Sequence, residues 1–199
     1  VDNWIEPAAA ATAQLAAYVC LAAGLRPEGP LGESLALGLV TDTGGFLHGS
    51  TTAAVFRLAA LLSDSGCDIH KLREKLDNNW SPARMALWVR LMQRVEISCD
   101  GRAALALARL EDLRQCGALK EDLEGLVEQF RRLRGVEASG ILREDAPGVY
   151  KLSLRSTGTT DVRSVAVQFG GGGHRNAAGG TLRMEGEEAF DAVRTALCR

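Results

Sequence analysis

Between Phe169 and Gly180 the chain reads Phe-Gly-Gly-Gly-Gly-His-Arg-Asn-Ala-Ala-Gly-Gly. Four glycines in a row carry no side chain to pack, and each reaches backbone angles closed to other residues. Such a stretch turns its N–H groups towards one point and cradles an anion. His174 and Arg175 place donors at its edge, while Ala177, Ala178 and Gly179 are small enough for a flat ring to lie on the backbone. A flexible turn would account for the glycines alone. It would not account for the glycines, the His-Arg pair and the small residues together.

The preceding segment, Val149 to Arg155, alternates as a strand does. Tyr150, Leu152 and Leu154 share one face, towards a core, and Lys151, Ser153 and Arg155 share the other. A lysine, a hydroxyl and an arginine in one row suit a phosphate, because arginine offers a planar, two-pronged donor. A solvated outer face is the plainer explanation of such a row, but its nearness to the glycine run favours the clamp. A third feature is Thr41-Asp42-Thr43-Gly44-Gly45, which closes the apolar run Leu35 to Val40. A carboxylate there can ligate a hard divalent cation such as Mn²⁺ or Mg²⁺, or make only a local turn bond; the residues alone leave both open. His48 and His70 read as surface or structural histidines, and Arg131, Arg132 and Arg134 as complements to a helix dipole.

Periodicity and breakers organise the rest. A short strand is expected at Val1 to Ile5 and helices at Ala8 to Ala23, Ala53 to Ser63, Ile69 to Leu76 and from Pro82 to about Arg94. Arg26 to Gly32 reads as a loop, and Leu35 to Val40 as either buried strand or buried helix. From Val95 the pattern alternates, with strands at Val95 to Ser98 and Ala103 to Leu107 around an Asp100-Gly101 turn. An amphipathic helix follows over Glu121 to Arg134, then strands at Glu137 to Leu142 and Val149 to Arg155, a short helix at Asp161 to Phe169, a last strand near Gly180 to Met184 and a final helix from Glu187 to Leu197. The expectation is an α/β chain of two lobes: a mostly helical part over 1–94, including a connecting helix, and a mixed-sheet domain over 95–199.

Charge narrows the ligand. From Lys120 to Arg199 there are 12 Lys/Arg and 12 Asp/Glu, and the whole chain has formal net charge −2. A protein gripping a long nucleic acid gains affinity from each phosphate it neutralises and shows a basic surplus. The ligand expected here is therefore short. The five cysteines are scattered, odd in number and form no C-x-x-C pair, so reduced thiols in a cytoplasmic protein are expected rather than a zinc site or disulfides. Pro7 to Leu25 lacks charge over a length near that of a membrane span, but it is mostly alanine and reads as a buried soluble helix. The chain opens directly on an apolar pattern, which reads as a piece of a longer polypeptide.

Together these residues resemble a family. Gly170 to Gly180 is similar to the G-G-G-G-H-x-x-A-A-G signature of the DHH-associated nucleotide-binding domain. Ser153-Leu-Arg-Ser156 resembles that domain's S-x-R strand, Val40-Thr-Asp-Thr-Gly-Gly-Phe46 the last motif of the DHH catalytic domain, and Pro7 to Ala13 the helix that follows the D-H-H triplet. The resemblance, in order along the whole chain, is to the DHH-family phosphoesterases, nearest in type to the bacterial oligoribonuclease and 3′-phosphoadenosine-5′-phosphate phosphatase group and related to the RecJ exonucleases. It implies a phosphodiesterase that holds two Mn²⁺ ions and binds short RNA or nucleotide phosphate, releasing mononucleotides. Asp42 would be a metal ligand, and Ser153, Arg155, Gly172, Gly173, His174 and Asn176 would bind nucleotide. The D-x-D motif, a further lone Asp and D-H-H itself do not occur here, so no complete catalytic set is present and the chain alone is expected to hydrolyse nothing. Within enzymes, a cyclic-dinucleotide phosphodiesterase or an exopolyphosphatase-like activity fits the same features. A non-catalytic nucleic-acid-binding module and a homodimerisation domain using the Ala-rich helix are the readings from other classes.

Overall fold

The computed structural model describes residues 4–199, and the chain divides between Asn79 and Trp80 into two compact units. The expected strand at Val1 to Ile5 falls partly outside the described residues; Trp4 and Ile5 are exposed and irregular.

The first unit is helical: α1 (Thr12–Ala22), α2 (Gly29–Asp42), α3 (Ala53–Asp64) and α4 (Ile69–Asp77). The ambiguous run at Leu35 to Val40 is helix. Leu35 and Leu39, one turn apart, are buried with Ala36, Val55, Leu58 and Leu62 in one core. That helix reaches back into the segment expected as a loop, because Pro30 occupies its first turn, where a missing N–H costs nothing. α1 starts later than the alanine run suggests. The buried Gln14 side chain accepts from the Ala10 N–H at 2.9 Å, holding the preceding turn in a non-helical course. Among the described residues no helix is long and apolar enough to cross a membrane.

The second unit carries α5 (Pro82–Met92), β1 (Glu96–Ser98), β2 (Ala103–Ala108), α6 (Leu110–Cys116), a 3-10 turn (Lys120–Leu123), α7 (Leu126–Phe130), β3 (Ala138–Ala146), β4 (Val149–Ser156), α8 (Val162–Gln168), β5 (Gly172–His174), β6 (Ala177–Arg183) and α9 (Gly186–Leu197). Packing assigns the connecting helix to this unit rather than to the first. Leu87, Trp88 and Leu91 of α5 are buried against the sheet, so the division lies ahead of α5 and not near residue 94. The six strands form one mixed sheet in the order β1-β2-β3-β4-β6-β5, with only β2 and β3 parallel. One face is closed by α8 and α9. Val162, Val165, Ala166, Ala189, Phe190 and Val193 pack there on Leu105, Leu142, Tyr150, Leu152, Leu154 and Leu182. On the other face Leu87, Trp88, Leu91, Leu113, Leu126, Val127 and Phe130 cover Ala104, Ala106, Ala108 and Ile141. That cover spans β2 and β3, while Lys151 and Ser153 on β4 stay exposed.

Three expectations need correction. The single helix over Glu121 to Arg134 is broken: the 3-10 turn and α7 meet at Gly125, which has φ +83° and lies against Trp88. Its apolar positions Leu123, Leu126, Val127 and Phe130 are buried as the periodicity requires; the interruption is a backbone event that periodicity does not register. Secondly, α6 forms where the sequence pattern predicts no element. Thirdly, Cys99 and Cys198 are joined by a disulfide with Cα atoms 5.0 Å apart, while Cys20, Cys67 and Cys116 are free. The bonded pair is 99 residues apart in sequence. It meets only because the turn after β1 lies beside the end of α9, an adjacency invisible in cysteine spacing.

Candidate phosphate-binding cleft

Residues directly opposite one another in paired strands project from the same face. The register therefore determines what gathers on the open side of the sheet. Ser139 of β3, Arg155 of β4, Ala177 of β6 and His174 of β5 form one row across four strands. Ile141, Ser153, Gly179 and Gly172 form the next, and Arg143, Lys151 and Thr181 the third. Where the helical cover ends, the 3-10 turn and α7 wall off a cleft of about 670 Å³ lined by Arg155 of the first row, Ile141, Ser153 and Gly179 of the second and the whole of the third, while His174 and Gly172 lie on the same face beyond that lining.

The cleft is held open by identifiable bonds. The buried Ser139 hydroxyl donates to the Val127 carbonyl at 2.9 Å, pinning α7 to the sheet. Arg155 donates from Nε to Glu128 Oε1 at 2.9 Å and from Nη1 to the Leu154 carbonyl at 3.0 Å, which fixes its guanidinium plane and leaves its remaining N–H donors without a protein acceptor among the described residues. The second Glu128 oxygen is buried without a donor. The Ser153 hydroxyl and the His174 ring make no hydrogen bond among the described residues. At the other end Lys151 donates to the Thr181 hydroxyl at 2.8 Å. Lys120 and Arg143 share Asp145 at 3.0 and 2.9 Å. Burial pushes the Asp145 carboxyl up, but the Lys120 and Arg143 contacts outweigh it and hold the group below the ordinary carboxylate range.

Half of the glycine run is strand rather than loop, because β5 folds onto β6. Close approach explains two of the glycines: a Cβ on Gly171 would stand 2.1 Å from the Gly179 carbonyl oxygen, and one on Gly179 would stand 2.4 Å from that of Leu152. Gly172 differs, since a Cβ there would meet nothing within 4 Å and would project over the open face. Nothing in the packing calls for a glycine at that place.

Of the residues named from sequence, the structure brings Ser153, Arg155, Gly172 and His174 onto one face. It does not bring Gly173 or Asn176 there. Gly173 pairs with Ala178 on the helix-covered side, with φ +136°. Asn176 donates its amide to the Ser156 hydroxyl at 3.0 Å and holds the β5–β6 turn against the end of β4. Arg175 likewise turns away and donates to the Thr159 carbonyl. Lys120, Glu128, Arg143 and Thr181 also line the cleft and are not among the residues the sequence singles out. Arg143 was within reach, because a tight turn at Pro147-Gly148 sets it opposite Lys151.

In the first unit Asp42 is the last residue of α2 and is exposed. Its carboxylate has no partner among the described residues. The His48 ring hydrogen-bonds its backbone carbonyl at 3.0 Å. Among the described residues no group of three or more His, Cys, Asp or Glu side chains stands close enough to hold a metal ion. A lone carboxylate does not fit a divalent centre, which takes several anionic or imidazole ligands.

The class is set by this arrangement: an α/β domain whose mixed sheet leaves one half-face open and lined with cations and small residues. Residues 105–199 match the DHHA1 domain family. The chain is 32% identical over 190 residues to the bifunctional oligoribonuclease and PAP phosphatase NrnA of Thermus thermophilus, covering 95% of this chain and 56% of that one. It is 25% identical over 198 residues to a probable protein of the same kind from Streptococcus mutans, covering 98% and 63%. The crystal structure of an exopolyphosphatase-related protein from Bacteroides fragilis superimposes with a TM-score of 0.91 at 29% identity, over 96% of this chain and 57% of that one. Residues 105–199 thus form a DHHA1 domain, and the chain is homologous to these relatives, of which it spans little more than half the length.

Proposed function

We propose that this chain supplies the substrate-binding part of a DHH-family phosphodiesterase that hydrolyses short oligoribonucleotides, and 3′-phosphoadenosine 5′-phosphate, to mononucleotides. The supporting observation is the strand register that sets Arg155, Ala177 and His174 in one row beside Ser153, Gly179 and Gly172. In this reading Arg155 and Ser153 donate to a phosphate, His174 flanks it, and the sugar or base lies over Gly172 and Gly179, where no side chain intervenes. The chemistry of the whole enzyme rests on two Mn²⁺ ions, towards which this chain offers one carboxylate, Asp42. By itself the chain binds nucleotide and turns over nothing. Its near-neutral charge suits a ligand of one or two nucleotides rather than a long strand.

Titration of the full chain with AMP, followed by amide chemical shifts, tests this directly. Perturbations are expected at Ser153, Arg155, Gly172 and Gly179. Shifts confined to the α8–α9 side of the sheet, or none at millimolar AMP, would overturn the assignment. In a parallel assay with Mn²⁺ and a dinucleotide, no hydrolysis is expected; turnover that copurifies with the chain would refute the incomplete-centre reading.

A further inference from the structure

Away from the cleft, a disulfide ties the last helix to the first hairpin of the sheet. It joins Cys198, the exposed residue that caps α9, to the half-buried Cys99 in the turn between β1 and β2. That turn has an uncommon backbone: Cys99 and Asp100 have φ of +54° and +56°, and Gly101 follows at +87°. A second tie runs beside the bridge. Arg194, one helical turn before Cys198, donates to Glu96, three residues before Cys99, at 2.8 Å. The two cysteines are therefore kept within reach by groups that do not depend on the bond between them. The Ser98 hydroxyl lies 3.6 Å from Cys99 Sγ, and because a bridged sulfur carries no proton the hydroxyl is the donor. Arg102 Nε donates to the Cys99 carbonyl at 3.2 Å, which brings a cation to the same turn.

We propose that Cys99 and Cys198 form a reversible redox clasp, opened by an external dithiol, that sets how firmly the last turn of α9 is held to the β1–β2 hairpin. A thiolate of the dithiol attacks the exposed Cys198 Sγ. The S–S bond breaks, and Cys99 leaves as a thiolate and takes up a proton. The second thiolate of the dithiol then attacks the mixed disulfide, releasing Cys198 as a thiol and closing the reductant as a cyclic disulfide. Two electrons and two protons pass to the protein. The Ser98 donor and the Arg102 cation favour Cys99 as the departing thiolate. In the open state the Arg194–Glu96 pair keeps the thiols adjacent, so an oxidised dithiol closes them again by the reverse path. The fold persists, because Ala189, Phe190 and Val193 anchor α9 upstream in the core. Only the last turn of α9 and the left-handed turn gain freedom.

The test places the full chain at equilibrium with reduced and oxidised dithiothreitol, without denaturant, followed by alkylation and peptide mass spectrometry. Cys99 and Cys198 should pass together between disulfide and dithiol, and return to the same pair on reoxidation. Circular dichroism should stay native in the open state, while deuterium uptake rises at 98–102 and 195–199 and not in β3 or β4. Ser98→Ala should slow opening by about two- to tenfold, the worth of one hydrogen bond. Glu96→Gln should shift the equilibrium towards the dithiol by about two- to fivefold, the worth of an accessible ion pair. Reduction that proceeds only in urea, an open state that unfolds cooperatively, or reoxidation that pairs either cysteine with Cys20, Cys67 or Cys116 overturns the clasp. An opening rate unchanged in Ser98→Ala, or an equilibrium unchanged in Glu96→Gln, also overturns it and leaves a plain structural bridge.

Discussion

Replacing Arg155 with alanine separates a binding role from a structural one, because the structure sets a ceiling on the structural cost. The guanidinium makes one ion pair, to Glu128 at 2.9 Å, with the two side chains 33% and 37% exposed, and one neutral bond to the Leu154 carbonyl at 3.0 Å. Ion pairs as accessible as this are worth about 0.2–1 kcal/mol, and a single neutral hydrogen bond about 0.5–1.5 kcal/mol. The fold should therefore lose no more than about 2.5 kcal/mol, a fall in Tm of about 5–10 °C at roughly 2–4 °C per kcal/mol for a chain of this size. A phosphate held by the two free prongs loses more in proportion: about 1.5–3 kcal/mol, or a drop in AMP affinity of about ten- to 150-fold. Thermal denaturation and calorimetry on the same sample read both quantities. Arg155→Lys keeps the charge without the fork and should fall between wild type and alanine. An AMP affinity within about twofold of wild type, alongside the modest fall in Tm, would refute the argument, since it would mean that the free donors face no ligand.

Three further outcomes follow from other parts of the molecule. Gly172→Ala should leave stability within about 1 kcal/mol of wild type while weakening AMP by about tenfold, whereas Gly179→Ala should destabilise by about 1–3 kcal/mol through its clash with the Leu152 carbonyl; urea denaturation and titration separate the two. Reducing Cys99–Cys198 should cost about 2–5 kcal/mol, since it opens a loop closed across 99 residues, and urea curves with and without reductant measure it. Asp112 is 2% exposed, and burial alone would raise its carboxyl; the bonds from Arg94, the Arg109 N–H and Arg90 outweigh that and hold it below the ordinary range. Its folded form binds a proton more weakly than its unfolded form, so this stability is present at neutral pH and disappears as pH falls through the depressed value. Asp112→Asn should accordingly be about 1–3 kcal/mol less stable at pH 7 and converge on wild type as the pH is taken below the ordinary carboxylate range; a gap unchanged by acidification would contradict the assignment.

What was legible from sequence was whatever a short window decides. The alternation at Tyr150, Leu152 and Leu154 located a strand and its inner face, and all three are buried. Asp161 and Ser81 start helices as their side chains suggest, each accepting a backbone N–H of the first turn. What was hidden depends on partners distant in the chain. The glycine run was legible as a place of close approach, but not that it would fold back as β5 and turn Gly173 inward. Asn176 carries the right chemistry for a ligand, yet Ser156 claims its amide. Arg143 and Lys120 enter the cleft through the β3–β4 register and through the break at Gly125, and neither is a property of the residues' immediate neighbours. The disulfide was hidden for the same reason.

The position of β5 carries a consequence for how binding would be felt. It is a three-residue strand at the margin of the sheet, bonded to one neighbour, β6, and composed of two glycines and His174. Its amides can exchange with solvent by local opening, without disturbing the buried strands behind it. A ligand seated on Gly172 and His174 would close that opening, so occupancy should register as slowed deuterium uptake at the margin while β3 and β4 remain unchanged. A recognition element placed there would be a short edge strand, and part of the ligand's binding energy would go into setting it in place.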